Sequence, residues 1–247
     1  MIKAKKFKYP PLTEVAFEIK FDPKLRIFDK LSDFQELIAS KLPQIGEEHL
    51  FPFSSNMPLE DSTRNLKKRV VFEDSANKKL LRLSVDGFNF IEKSYESFAK
   101  YQKEIATLWK DFSDIMGNLS LNRIGLRYIN HLKIPYTDEL KDMEKYIKPY
   151  YSMERLNKEK VKSISIESRI LRDDYILTIR SGIISEDTTD KGKHKVYLLD
   201  YDCYLDNPKL IKNVSVLINK YHDVIEKQFL SDLEIKYLKY MERGEFN

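Results

Sequence analysis

The chain has 247 residues, 42% of them hydrophobic and 12% aromatic, which supplies enough apolar matter for a packed core and excludes intrinsic disorder over most of the length. Net charge is +4, shared equally by the halves on either side of Gly117, so the concentrated basic field of a dedicated nucleic-acid binder is absent. Only seven glycines argue against Gly-rich phosphate loops, and the lone Cys203 excludes a disulfide framework or a cysteine-based metal site. The N-terminus lacks the apolar region of a secretion signal and no apolar run reaches membrane-span length, so the expectation is a soluble, cytoplasmic protein.

Pro10 and Pro11 close a basic leader, and a strand is predicted over 12–21. Its apolar side carries Val15, Phe17, Ile19 and Phe21 behind Thr13, and its other side carries Glu14, Ala16, Glu18 and Lys20. Asp22-Pro23 stops it, a helix is predicted over 29–42 up to Pro43, and 44–65 lacks any clean period, which predicts an irregular excursion. Strands follow over 68–74, 79–85 and 88–95, the last two joined by Asp86-Gly87 as a tight type I′ hairpin turn. Ser97 is placed to cap a long helix over 98–116, whose Phe98, Tyr101, Ile105, Leu108, Trp109, Phe112 and Ile115 form one apolar stripe, and Gly117 ends it.

The second half reads in the same order. A strand over 121–134 puts Ile124, Leu126, Tyr128, Leu132 and Ile134 on one side, interrupted by Asn130, and Arg123, Gly125, Arg127 and His131 on the other. A short helix over 137–147, an irregular stretch over 148–160 and strands over 161–171, 175–184 and 195–205 come next, with a charged tip over 186–193. A long helix over 208–229 begins at Pro208, and Ser231 is placed to cap a last helix bearing Leu233, Tyr237, Leu238 and Met241. Each half, 1–117 and 118–247, therefore reads as a β-α-β-β-β-α unit, a pseudo-duplication without repeated residue identities. The expected fold is α+β: one large antiparallel or mixed sheet of eight strands packed as one body, the opening strands central and the long helices on one face. In outline this resembles TATA-box-binding-protein-like and helix-grip folds, an analogy of fold that carries no function.

The opening Tyr9-Pro10-Pro11-Leu12-Thr13-Glu14-Val15, with Arg123-Ile124-Gly125-Leu126-Arg127-Tyr128 and Leu199-Asp200-Tyr201-Asp202-Cys203-Tyr204, is similar to the recurring segments of a sporadically distributed bacterial family of uncharacterised proteins. That resemblance implies an accessory bacterial gene set and carries no catalytic residue with it.

Five residues form the sharpest constellation: Glu14 and Glu18 on the first strand, Arg123, Arg127 and His131 on the midpoint strand. Were the strands neighbours, these would meet as a cross-strand ladder, either a structural seam of salt bridges or a groove for an anionic ligand or a protein partner. Asp200 and Asp202, two apart on one strand, are a spacing that could hold a hard cation such as Mg²⁺, though such pairs more often face solvent or lysines. No other cofactor is implied. Glu14-Val15-Ala16-Phe17-Glu18-Ile19-Lys20 departs at Ala16 from the Glu-x-Glu-x-Lys strand of triphosphate-tunnel hydrolases, leaving Arg82, Arg123, Arg127, Glu167, Arg169, Asp200 and Asp202 as tunnel candidates. The four histidines show no metal spacing, Cys203 reads as a small packed hydrophobe, and Tyr146, Tyr150 and Tyr151 read as a cluster packed against a loop or facing a partner. The expected function is a binding or interaction module rather than an enzyme. A metal-dependent tunnel-type hydrolase and nucleic-acid binding on the sheet face are the alternatives, and balanced charge disfavours the latter.

Overall fold

The computed structural model describes residues 7–49, 68–135, 140–152, 161–189, 192–208 and 214–245. The fold is α+β, built on a nine-stranded antiparallel sheet. The strands are β1 (Leu12–Phe21), β2 (Gln44–His49), β3 (Lys68–Glu73), β4 (Lys79–Ser84), β5 (Gly87–Glu92), β6 (Leu121–Pro135), β7 (Ile166–Arg172), β8 (Tyr175–Thr189) and β9 (Gly192–Asp206). The helices are α1 (Arg26–Asp29), α2 (Leu31–Ile38), α3 (Phe98–Met116), α4 (Val214–Asp232) and α5 (Ile235–Arg243), with a 3₁₀ turn at Leu140–Lys145. The sheet order is β2-β3-β4-β5-β1-β6-β9-β8-β7, so the two opening strands are central, as expected, and are neighbours. Outward from that pair the order β1-β5-β4-β3 is matched by β6-β9-β8-β7, while β2 has no counterpart. No helix among the described residues is long and apolar enough to cross a membrane.

The chain divides into two compact units, each drawing on separated stretches. One comprises residues 14–126 and 204–221, and its core is rich in phenylalanine. Phe17, Phe21, Phe34, Phe72, Phe88, Phe90 and Phe112 are fully buried. Phe112 of α3 lies 5.2 Å from Phe88 and 5.5 Å from Phe34, and Trp109 lies 5.4 Å from Phe88. Such ring pairs each add about 0.5–1.5 kcal/mol beyond area burial, which favours one fixed seat for α3. Ser97 caps α3 by accepting from the Lys100 amide, and Gly117, at φ +72°, ends it.

The other unit comprises residues 1–13, 127–203 and 222–247, and tyrosine takes a large share of its core beside leucine and isoleucine. Tyr197, Tyr201 and Tyr237 are fully buried. A phenol brings a hydroxyl into the core and requires polar partners there, which a phenylalanine core does not. Residues before β1 are held here: Tyr9 N–H donates to Met241 O (2.8 Å), His131 N–H to Pro11 O (2.9 Å), and Thr13 Oγ1 to Ile129 O (3.0 Å).

Several local expectations are corrected. The stretch after Pro43 is not irregular throughout: 44–49 is β2, paired antiparallel to β3, while 50–67 lies outside the described residues. Its Gln-Ile-Gly-Glu-Glu-His sequence hides the strand because an edge strand has little apolar face to show. The helix expected over 29–42 is two pieces, broken at Lys30, which has φ −105° and ψ 2°. The β4–β5 hairpin turns at Val85-Asp86, one residue early, and Gly87 is paired with Ser84. Tertiary bonds settle this: Lys24 and Phe21 amides donate to the Val85 and Asp86 carbonyls, and Ser84 Oγ donates to Asp86 Oδ1 at 2.7 Å. The strand expected from 161 begins at Ile166, and β8 and β9 extend through most of the charged tip, whose 190–191 lies outside the described residues. The helix over 137–147 is a 3₁₀ turn from Leu140, with 136–139 outside the described residues, as are 209–213 before α4. Ser231 belongs to α4 and bonds back to Gln228 O, so it caps nothing. Glu234 occupies the N-cap of α5.

Candidate functional site

The polar side of β6 carries the arginines. Ile124, Leu126, Tyr128, Leu132 and Ile134 are buried, so the period of two turns Arg123 and Arg127 the other way. Asn130, the interruption in the apolar series, is also buried, and its amide donates to Leu199 O on β9 at 3.0 Å.

In the phenylalanine-rich unit Arg123 is ion-paired with Glu18 of β1. Its guanidinium lies 4.3 Å from the Tyr204 ring centroid, a cation–π contact. Gly125 makes this conformation possible, since a Cβ there would stand 2.9 Å from Arg123 Nη1. A second pair, Arg82 of β4 with Glu48 of β2, closes at 3.0 Å.

The tyrosine-rich unit holds a longer array. Arg127 grips Asp200 of β9 with two bonds, Nε to Oδ1 at 2.8 Å and Nη2 to Oδ2 at 2.6 Å. Arg180 of β8 reaches Asp200 Oδ2 with Nη1 at 3.4 Å and donates from Nε to Glu167 of β7 at 2.8 Å. Glu167 and Arg180 stand directly opposite in the β7–β8 register, and Arg169 Nη2 lies 3.8 Å from Glu167 Oε1. The result is a row across β6, β9, β8 and β7 that reads Arg127, Asp200, Arg180, Glu167, with Arg169 beyond. Burial grades along it: the Asp200 side chain is 2% exposed, Arg180 34%, Arg127 41% and Glu167 47%. A buried carboxylate held by a bidentate guanidinium is a fixed charge, whereas Glu167 at the outer end is freer to exchange.

The sequence candidates are therefore divided between these arrays. Glu18 meets Arg123, as the ladder reading anticipates, but the partner of Arg127 is Asp200. Glu14 is half-buried and has no ion pair among the described residues. His131 is exposed and contributes its backbone amide to Pro11. Asp200 has both oxygens occupied by arginines, and Asp202 is half-buried beside Cys203. Among the described residues no three His, Cys, Asp or Glu side chains converge as a metal site would require. Sequence reasoning missed Arg180, whose signal is legible in hindsight: it is the one charge within Ile176-Leu177-Thr178-Ile179-Arg180-Ser181-Gly182-Ile183.

A second polar cluster sits at the end of α4. Asp232, 6% exposed, accepts from Tyr150 and Tyr201 hydroxyls at 2.7 Å each and from Gln228 Nε2 at 2.9 Å. Burial pushes its carboxyl above the usual range, and these three donors and Lys148 pull it back. Nearby, the buried hydroxyls of Tyr197, Ser181 and Tyr151 lie close together without completing a hydrogen bond of good geometry. The tyrosines foreseen as a cluster thus split: Tyr150 anchors Asp232, Tyr151 lies against Tyr197, and Tyr146 faces Lys236 at 4.9 Å. Burial also raises the Cys203 thiol well above its ordinary value, so it is a packed, protonated group. The chain matches no protein-family model and no curated protein.

Proposed function

We propose that the protein is a binding module of an accessory bacterial gene set, and that Arg127 and Arg180 take an anionic group of a ligand or protein partner. The observation that carries this reading is two partly exposed guanidiniums anchored on one buried carboxylate, Asp200. Asp200 fixes both arginines in place, so an incoming carboxylate or phosphate meets donors whose rotamer entropy is already lost. Glu167 occupies the outer position on Arg180 as an exposed internal stand-in, and the incoming anion displaces it. With Arg169, the row holds three cations and two carboxylates, a small positive surplus that favours anions without the salt-sensitive field of a polynucleotide binder.

The test is isothermal titration calorimetry with pyrophosphate and, separately, a hexaglutamate peptide at low salt. Binding by the native protein, lost in Arg180→Ala and tightened several-fold in Glu167→Gln, is the expected pattern, because the second variant removes the competitor. Absence of binding to both probes, or binding indifferent to Arg180, would overturn the proposal. Release of phosphate from triphosphate in the presence of Mg²⁺ would replace it with the hydrolase reading.

A further inference from the structure

Strand β7 ends the sheet, and among the described residues no strand pairs with its outer side. Its outer backbone groups can be identified. The Ile164 amide donates to Ile183 O, and the same register continues as Ile166 with Ser181, Ser168 with Ile179, Ile170 with Leu177 and Arg172 with Tyr175. In an antiparallel ladder residues alternate between bonding to the neighbour and bonding away from it. Residues 166, 168, 170 and 172 therefore bond inward to β8, and Glu167, Arg169 and Leu171 present their amides and carbonyls outward. Leu171 is a large apolar side chain left 69% exposed on the same stretch.

An edge of this kind can be guarded against pairing by its charges, or it can be built to pair. The sequence of β7 discriminates. When two copies meet antiparallel about a two-fold axis, the outward residues must face outward residues, which permits registers centred on 167, 168, 169, 170 or 171, the last pairing only residues 170–172 of each copy and leaving both charges outside the paired strand. Centring on Glu167 sets Glu against Glu, and centring on Arg169 sets Arg against Arg. Centring on residue 170 puts Arg169 against Leu171. Centring on Ser168 places Glu167 of each copy opposite Arg169 of the other, sets Ile166 across from Ile170, and brings Leu171 opposite Ser165. Only that register satisfies charge, backbone bonding and apolar contact together. Glu167 suits the pairing, since its Oε2 takes the bond from Arg180 while Oε1 has Arg169 of its own strand no nearer than 3.8 Å.

We infer that β7 is a self-complementary edge through which two copies of this chain pair antiparallel about Ser168, joining their sheets and their charged rows. The inference is independent of whether the row takes an anion. It rests on register and complementarity, and its readout is mass.

The experiment is sedimentation velocity across a concentration series. Native protein is expected to move from the 29.3 kDa chain mass toward twice that value as concentration rises. Arg169→Glu makes both facing positions, 167 and 169, acidic and Glu167→Arg makes both basic, so each alone sets like charges opposite and weakens association about ten-fold or more. An equimolar mixture of the two variants restores opposite charges at both positions and is expected to recover the dimer. Circular dichroism of each variant checks that the fold is retained, and recovery in the mixture is itself evidence of folded edges. A native protein that stays at the chain mass throughout, single variants that dimerise like the native chain, or folded variants whose mixture stays monomeric would each overturn the inference.

Discussion

Asp200 shows how much a single buried carboxylate constrains its surroundings. With Arg127 gone, the arginine that still reaches it among the described residues is Arg180, at 3.4 Å. Arg127→Ala is therefore expected to destabilise the protein by roughly 2–3 kcal/mol in urea titration, somewhat below a fully buried pair because Arg127 is 41% exposed. Removing Asp200 as well should recover part of that loss, since no uncompensated charge is left behind. His222 offers a pH signature. It is half-buried, its Nδ1 lies 2.8 Å from the Tyr128 hydroxyl, and desolvation holds its pKa below the ordinary 6.5 while Asp223 opposes this. The unfolded chain then binds a proton that the folded chain refuses. This group costs no stability above about pH 6.5 and an increasing amount as pH falls below it toward the folded-state value. The urea midpoint should drop between about pH 7.5 and pH 5.5, and drop less in His222→Gln, a comparison that isolates this histidine from other titrating groups. Cys203, buried and with its thiol pKa raised, should resist a thiol reagent in the native state and react fully in denaturant; rapid native labelling would contradict its enclosure.

Among the elements, the β7–β8 hairpin carries the outer half of the charged row, and Gly182 limits what it tolerates. Gly182 has φ +155°, and a Cβ there would sit 1.9 Å from the Ile164 carbonyl oxygen. Gly182→Ala is expected to cost about 3 kcal/mol or more, through backbone strain and a clash with atoms that have no rotamer to yield. A thermal melt within a few degrees of native would show that the approach of Ile164 is not enforced. Elements with a two-sided pattern were legible in the sequence. β1, β6 and α3 are found where alternation or a helical stripe puts them, because burial of one face and solvation of the other writes itself into residue order. β2 and the exact turn of the β4–β5 hairpin were not legible. The first is an edge strand with little core to face, and the second is set by bonds from Lys24 and Phe21, far away along the chain.

For the whole molecule, the interleaved course of the chain has a consequence for cutting it. The tyrosine-rich unit includes residues 1–13, bonded through Tyr9, Pro11 and Thr13, and the phenylalanine-rich unit includes 204–221, where Gln102 Nε2 donates to Asn219 at 2.8 Å. Division at Gly117 removes part of each unit. Fragments 1–117 and 118–247 expressed separately are expected to lack cooperative unfolding and dispersed amide resonances, and to regain both when mixed. A cooperative transition in either fragment alone would show that its missing stretch is dispensable.

By itself the sequence determined the α+β class, the apolar faces of the long strands and of α3, and a charged central strand, since all of these follow from periods of two and 3.6 residues that burial imposes locally. It set Glu14 and Glu18 against Arg123, Arg127 and His131 as a conditional ladder, and the structure realises one pair of it, Glu18 with Arg123. Only the tertiary structure decided that Arg127 answers to Asp200, that Arg180 and Glu167 extend the row, and that Asp232 gathers two tyrosine hydroxyls. Those partners lie 73, 13, 82 and 31 residues apart. Which of many carboxylates a given arginine meets depends on strand order and register, and neither is encoded in the residues that flank it.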